Sequence, residues 1–117
     1  MEKLSASARS NRRRSLRRKP RGTIKVEFRK GALGLGPNIA ESTLDVSDSG
    51  VRLVVTQMVE VMAEVEILIE GYGANRPIKR LGSVRWQVKL ENGHFCTGVE
   101  FQKSIDYRDW IRLTSPN

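Results

Sequence analysis

Short runs in which apolar and polar residues alternate cover most of the chain after residue 23. A period of two places alternate side chains on opposite faces of a β-strand, so each run predicts a strand with one buried face. The clearest run begins with Ile24, Val26 and Phe28, which alternate with Lys25, Glu27 and Arg29. The same pattern predicts strands over residues 51–55, 65–69, 84–88 and 95–101, and a further strand is expected around Ala40–Val46.

The ends of these runs predict how the strands connect. Asn92-Gly93 separates the last two runs and is typical of a type I′ hairpin turn. Apolar residues at helical spacing then predict a C-terminal helix capped by Ser104 (Tyr107, Trp110, Ile111 and Leu113). A chain of 117 residues with this pattern is expected to form one all-β domain, a small antiparallel barrel with a short C-terminal helix. Trp86 and Trp110 have the parity of core residues.

Positive charge is concentrated at the N-terminus. Residues 1–30 hold 12 of the 21 Lys and Arg residues but only two of the 13 acidic ones, so the other 87 residues carry a net charge of −2. A dense basic run repels itself and stays extended until an anion binds it. We therefore expect a disordered lead at 1–10, a flexible basic arm at 11–22, the barrel and helix at 23–113, and a tail at 114–117.

Several classes of protein are excluded by composition. The single Cys96 rules out a disulfide framework, and the single His94 rules out a multi-histidine metal centre within one chain. No apolar run is long enough to span a membrane, and the arm lacks the continuous apolar segment of a secretory signal. A cytoplasmic protein without a metal or a catalytic group is expected.

The arm contains two overlapping pairs of arginines at the same spacing, Arg13 with Arg17 and Arg14 with Arg18. A guanidinium can chelate a phosphate, or donate two hydrogen bonds to the O6 and N7 atoms of guanine. On composition alone, the arm is better explained as a solvated polybasic tail that adheres loosely to nucleic acid.

A second motif, Asp45-x-Ser47-x-x-Gly50, lies 28 residues after Arg17. Asp45 can accept hydrogen bonds from the N1–H and N2–H edge of guanine, Ser47 can bridge to a base or phosphate, and Gly50 permits close backbone approach. The same residues are also common in a β-turn, where Gly50 would supply a positive φ.

In this order and spacing, the two motifs and the later segment Gly98-Val99-Glu100-Phe101 resemble the PilZ domain of bacteria. The resemblance covers about residues 11–113. It implies a six-stranded antiparallel barrel with a C-terminal helix, and binding of the second messenger cyclic di-GMP without catalysis. Arg13 and Arg17 match the first family motif, and Asp45, Ser47 and Gly50 match the second.

The resemblance also implies that the arm closes over the ligand on the barrel surface and that a partner protein reads the ordered arm. Arg12, Arg14 and Arg18 are possible additional ligand contacts, and either arginine pair satisfies the spacing. Cyclic di-GMP would be the only small molecule bound, with no cofactor. The alternative from the residues alone is a small basic-armed barrel that binds RNA or DNA without sequence preference. The glycine-rich segment 31–38 is expected to be a wide connecting turn.

Overall fold

Six strands and one helix make up the computed structural model, which describes residues 24–71 and 77–114. The elements, in chain order, are β1 (Lys25–Lys30), β2 (Ala40–Val46), β3 (Gly50–Val55), β4 (Glu64–Glu70), β5 (Ile78–Lys89), β6 (Phe95–Phe101) and α1 (Tyr107–Thr114). All six predicted strands are present. The predicted lead and arginine arm lie outside the described residues.

The strands form one antiparallel sheet in the order β1-β4-β5-β6-β3-β2, rolled into a nearly closed barrel. The two outermost strands meet near the start of β2, where the amide of Ile39 donates to the carbonyl of Phe28 over 2.9 Å. Asn38 supports this junction, because its Oδ1 accepts the amide protons of both Phe28 and Ala40. The predicted all-β barrel with a C-terminal helix is therefore confirmed.

The inward side chains form the core that the alternation predicts. The set is aliphatic with a few aromatic rings, and several members are completely buried (Phe28, Val51, Leu53, Val55, Val65, Ile67, Ile69 and Val84). Gln87, which is partly buried, makes two side-chain hydrogen bonds at the edge of this core. Gln87 donates to the hydroxyl of buried Thr97 over 2.9 Å and accepts the amide proton of Val59 over 3.0 Å. Gln87 thereby joins β5, β6 and the β3–β4 connection.

β5 departs from strict alternation at one point. A β-bulge lies between Val84, which faces the core opposite Val99, and Trp86, which stands opposite Gly98. The extra residue reverses the parity of the rest of the strand. Trp86 is consequently 37% exposed on the outside of the barrel, and its predicted place in the core is wrong.

The C-terminal helix α1 packs one apolar face on the barrel. Trp110 and Leu113 are buried as predicted, whereas Tyr107 is 78% exposed. Asp106 caps the helix, because its Oδ1 accepts the amide proton of Asp109 over 2.9 Å. The predicted cap, Ser104, lies two residues too early. No helix within 24–71 or 77–114 combines the length and the hydropathy that crossing a bilayer requires.

The glycine-rich segment between β1 and β2 is a connecting loop, as predicted. Gly31 and Gly34 adopt φ values of 86° and 66°, a region that side chains with a Cβ rarely occupy. Gly31 donates its amide proton to the carbonyl of Glu64 over 2.9 Å, and Gly34 packs against the carboxylate of Glu66. The loop is therefore held at its start against β4.

Candidate functional site

The connection between β2 and β3 is a tight turn that Ser47 organises. Ser47 is fully buried, and its amide donates to the carbonyl of Gly50 over 2.9 Å. Its hydroxyl accepts the amide proton of Ser49 over 3.2 Å and lies 3.2 Å from the Ser49 hydroxyl. A serine that accepts from the amide two residues later is a common way of closing such a turn. The turn is therefore held in shape by hydrogen bonds among its own residues.

Gly50 begins β3 at a point where the next strand comes unusually close. A Cβ on Gly50 would overlap the carbonyl oxygen of Val99 on β6, and it would lie 3.4 Å from the Cα of Glu100. The predicted positive φ is wrong, because Gly50 is not among the positive-φ glycines of the described chain. Glycine is required here by the approach of β6, and the turn is thereby fixed to the strand carrying Gly98.

Asp45 lies on the outer face of β2 with its carboxylate bound by Arg52. A bulge between Thr43 and Asp45 shifts the register, so that Asp45 stands directly opposite Arg52 on β3. Nε of Arg52 donates to Oδ2 of Asp45 over 2.8 Å, and Nη2 donates to the same oxygen. This hydrogen bond raises the pKa of the Arg52 guanidinium above its ordinary value, and the nearby negative charge adds to the effect.

The ion pair is the start of a line of residues that crosses the sheet. Asp45 pairs with Arg52, Arg52 pairs with Gly98 on β6, and Gly98 pairs with Trp86 on β5. We call these four residues the outer row. Directly paired residues on one face of a sheet are close enough for their side chains to interact. The outer row therefore places a carboxylate, a guanidinium and an indole along one line on the barrel surface.

The indole of Trp86 lies across Gly98. A Cβ on Gly98 would stand 2.8 Å from Cζ2 of Trp86 and closer still to the indole nitrogen. Only glycine leaves room for the ring to lie in this position. The ring keeps 37% of the residue's surface exposed, which suits stacking of a planar base better than burial in a core.

The structure brings together the three predicted residues of the second motif but gives them different places. Asp45 belongs to the outer row, whereas Ser47 and Gly50 shape the adjoining turn. Their contacts with a ligand stay predictions. The predicted arm residues (Arg12, Arg13, Arg14, Arg17 and Arg18) all lie outside the described part of the chain.

Two residues of the outer row, Arg52 and Trp86, were not among the predicted site residues. Arg52 occupies a polar position in an alternating strand, and the sequence contains nothing to pair it with Asp45. Counted by strict alternation from Val84, Trp86 would face the core, but the bulge between the two residues turns it outward. Gly98 inside a predicted strand was the one available signal, since a glycine inside a strand often marks a close approach.

Comparison with known proteins identifies one family. The family model described as the PilZ domain matches residues 11–115. The match includes both arginine pairs, the outer row, the β2–β3 turn and helix α1. A search of curated proteins finds no match.

Proposed function

Because the match covers nearly the whole chain, the protein belongs to the PilZ domain family, and we propose that it binds cyclic di-GMP on the outer face of its barrel. PilZ domains are binding and signalling modules that recognise this cyclic dinucleotide. The observation that carries the proposal is the complete second motif, placed beside an exposed indole and a paired arginine in the outer row.

The chemistry of the outer row suits a guanine nucleotide. The exposed indole of Trp86 offers a surface on which a purine stacks, and stacking on aromatic side chains is a general means of holding bases. The guanidinium of Arg52 is partly exposed and places a positive charge on the same surface. The rigid turn of Ser47 and Gly50 fixes the strand ends on which this surface is built.

The arginine arm supplies the second half of the proposed site. Arg13 and Arg17 would close over the ligand and bind its two phosphates, with Arg12, Arg14 and Arg18 as additional contacts. Charge-assisted hydrogen bonds to phosphate are among the strongest that a protein makes. They are needed, because ordering the backbone of the arm costs about 1–2 kcal/mol of conformational entropy for each residue that is fixed. The ordered arm would then form a surface that an effector protein recognises.

Isothermal titration calorimetry of the full chain with cyclic di-GMP tests this proposal. The wild type should bind saturably, with a stoichiometry read from the titration, and linear GMP should not reproduce the heat. Arg13→Ala or Arg17→Ala should abolish binding if that pair holds the phosphates, whereas Arg14→Ala and Arg18→Ala should do so if the other pair does. Arg9→Ala removes one positive charge outside both pairs and is the matched control, expected to bind as the wild type does.

The opposite outcome would assign the chain to a different class of ligand. A wild type that gives no heat with cyclic di-GMP, yet binds arbitrary RNA or DNA oligonucleotides with a steep salt dependence, would be a non-specific nucleic-acid-binding barrel. Equal loss of affinity in Arg9→Ala and Arg17→Ala would likewise reduce the arm to a general source of positive charge.

A further inference from the structure

Arg52 is held by one edge of its guanidinium and presents the other to solvent. Nε and Nη2 both donate to Oδ2 of Asp45, so the side edge of the fork is occupied. Within residues 24–71 and 77–114, Arg52 makes no other hydrogen bond. Its side chain is 47% exposed, against 8% for Asp45. The end edge of the guanidinium, formed by Nη1 and the second N–H of Nη2, is therefore available to a ligand on the outer face.

The contact with Asp45 also fixes the direction in which Arg52 points. An arginine loses rotamer entropy when it binds a ligand, and an arginine already held by a carboxylate has lost part of it in advance. The carboxylate of Asp45 accepts these hydrogen bonds and raises the pKa of Arg52 further above its ordinary value, and an arginine side chain is a cation at any ordinary pH. Asp45 thus acts on the surface through the arginine that it holds.

The neighbours of Arg52 define what can lie against this free edge. On one side the sheet continues to Gly98, which has no side chain, and then to the flat indole of Trp86 lying over that glycine. Sheet neighbours are about 4.8 Å apart, so Arg52 and Trp86 originate about two strand spacings from each other. A purine stacked on the indole has one edge directed along the row towards Arg52.

The two purines differ at that edge. Guanine presents two acceptors, O6 and N7, which match the paired donors of a guanidinium. Adenine presents the N7 acceptor beside the N6 amino donor, so one donor of the arginine would face another donor. An oriented arginine beside a stacking surface therefore discriminates between the two bases.

We propose that Arg52, oriented by Asp45, is a base-recognition residue that reads the O6 and N7 edge of guanine and so selects cyclic di-GMP over cyclic di-AMP. This inference rests on the proposed function, since it assigns the source of base selectivity within the same site. It gives Asp45 the role of positioning residue for Arg52 and makes the outer row a guanine subsite.

The test compares two ligands on three variants of the full chain by calorimetry. Arg52→Met removes the donors, and Arg52→Lys keeps a cation beside Asp45 but loses the planar pair of donors. Arg112→Met is the matched control, because Arg112 is also an exposed arginine paired with an aspartate, Asp109, but lies on helix α1. Each variant is first checked for wild-type thermal unfolding without ligand.

A bidentate contact is worth roughly 10- to 100-fold in discrimination between bases. We expect Arg52→Met and Arg52→Lys to lose about this much affinity for cyclic di-GMP, and to bind cyclic di-AMP as weakly as the wild type does. The preference for guanine should collapse in both variants and persist in Arg112→Met. Arg52→Lys guards against a folding effect, since it leaves the carboxylate of Asp45 paired.

Two results would overturn the inference alone. One is a wild type that binds cyclic di-GMP while both Arg52 variants keep its preference for guanine. The other is an equal loss of affinity for both dinucleotides, which would make Arg52 a structural support of Asp45 without a part in base reading. A wild type that does not bind cyclic di-GMP at all would instead overturn the proposed function together with this inference.

Discussion

The carbonyl oxygen of Val99 occupies the space that a Cβ on Gly50 would take. Gly50 is part of a motif expected to bind a ligand, yet its described contact is with the neighbouring strand. The glycine lets β3 and β6 pair at the end where the β2–β3 turn begins, with Gly50 opposite Glu100. Its first role is therefore architectural, and this role has a measurable consequence without any ligand.

Gly50→Ala should destabilise the unliganded protein by about 1–3 kcal/mol, the usual range for forcing an extra methyl into a packed site. The neighbouring atoms belong to backbone, so they cannot move aside as a flexible side chain would. Urea unfolding measures the loss. Gly36→Ala is the control, since the nearest atom to its added Cβ is 3.8 Å away, and it should unfold at nearly the wild-type midpoint. Equal midpoints for the two variants would contradict the close approach of β6.

The two tryptophans differ enough in exposure to report separately on the site. Trp86 is 37% exposed on the outer row, whereas Trp110 is 6% exposed between α1 and the barrel. Cyclic di-GMP should quench the fluorescence of the wild type and of Trp110→Phe, but not that of Trp86→Phe. Trp86→Ala should also weaken binding by roughly 1–3 kcal/mol, the usual contribution of one stacked base. Quenching that survives in Trp86→Phe would place the ligand elsewhere on the barrel.

Gly98→Ala tests the position of the indole without removing it. The added methyl would overlap Trp86, whose exposed ring can move outward, so overall stability should fall less than in Gly50→Ala. The displaced ring no longer forms a flat surface beside Arg52. We therefore expect weaker binding of cyclic di-GMP together with an altered emission spectrum of the unliganded protein. Binding equal to that of the wild type would show that the ring's position over Gly98 is unimportant.

The buried faces of the strands were predictable because alternation encodes them directly. In β4, every second residue is apolar and fully buried (Val65, Ile67 and Ile69). The residues between them, two glutamates at the ends, Glu66 and Leu68, face outward, as the alternation in the sequence predicts. The prediction fails where one extra residue breaks the period. The sequence does not reveal the bulge before Trp86. Because β5 is partly exposed, the sequence fits equally well whether Trp86 faces the core or the solvent.

The predicted hairpin between β5 and β6 is present, but its predicted turn type is wrong for a related reason. Asn92-Gly93 predicted a two-residue type I′ turn, but Gly93 alone has a positive φ in this turn. The amide of Leu90 donates to the carbonyl of His94, and the amide of Gly93 donates to the carbonyl of Leu90. These bonds enclose a three-residue loop with Gly93 in the left-handed region, a common alternative. Turn type depends on where pairing ends, and local sequence does not determine that.

The candidate site was predictable only as a motif. Asp45, Ser47 and Gly50 were identified from their spacing, but Arg52 became visible only through the register that sets it opposite Asp45. The pairing of Asp45 with Arg52 depends on the bulge in β2 and on the length of the turn between β2 and β3. The sequence therefore predicted a candidate site at this motif, whereas the pairing of the strands determines which side chains lie beside Asp45 on the barrel surface.

The sequence and the structure name different capping residues for α1, Ser104 and Asp106, and the stabilities of variants at the two positions can be compared. Asp106→Ala should destabilise the protein by about 0.5–2 kcal/mol, because the amide of Asp109 loses its hydrogen-bond acceptor. Ser104→Ala, which removes the cap expected from the sequence, should be nearly neutral. Thermal unfolding of the two variants decides between them. A larger loss in Ser104→Ala would mean that the helix begins earlier than Tyr107.

Ser47→Ala distinguishes a hydroxyl that braces the turn from one that only contacts a ligand. The Ser47 hydroxyl is fully buried and accepts the amide proton of Ser49, so its removal leaves that donor without this acceptor. Losing one such bond typically costs about 1–3 kcal/mol. The variant should therefore unfold at lower urea in the absence of cyclic di-GMP, whereas Ser42→Ala, at an exposed position of β2, should not. If unliganded Ser47→Ala is as stable as the wild type and only its affinity falls, the hydroxyl acts on the ligand and the turn does not depend on it.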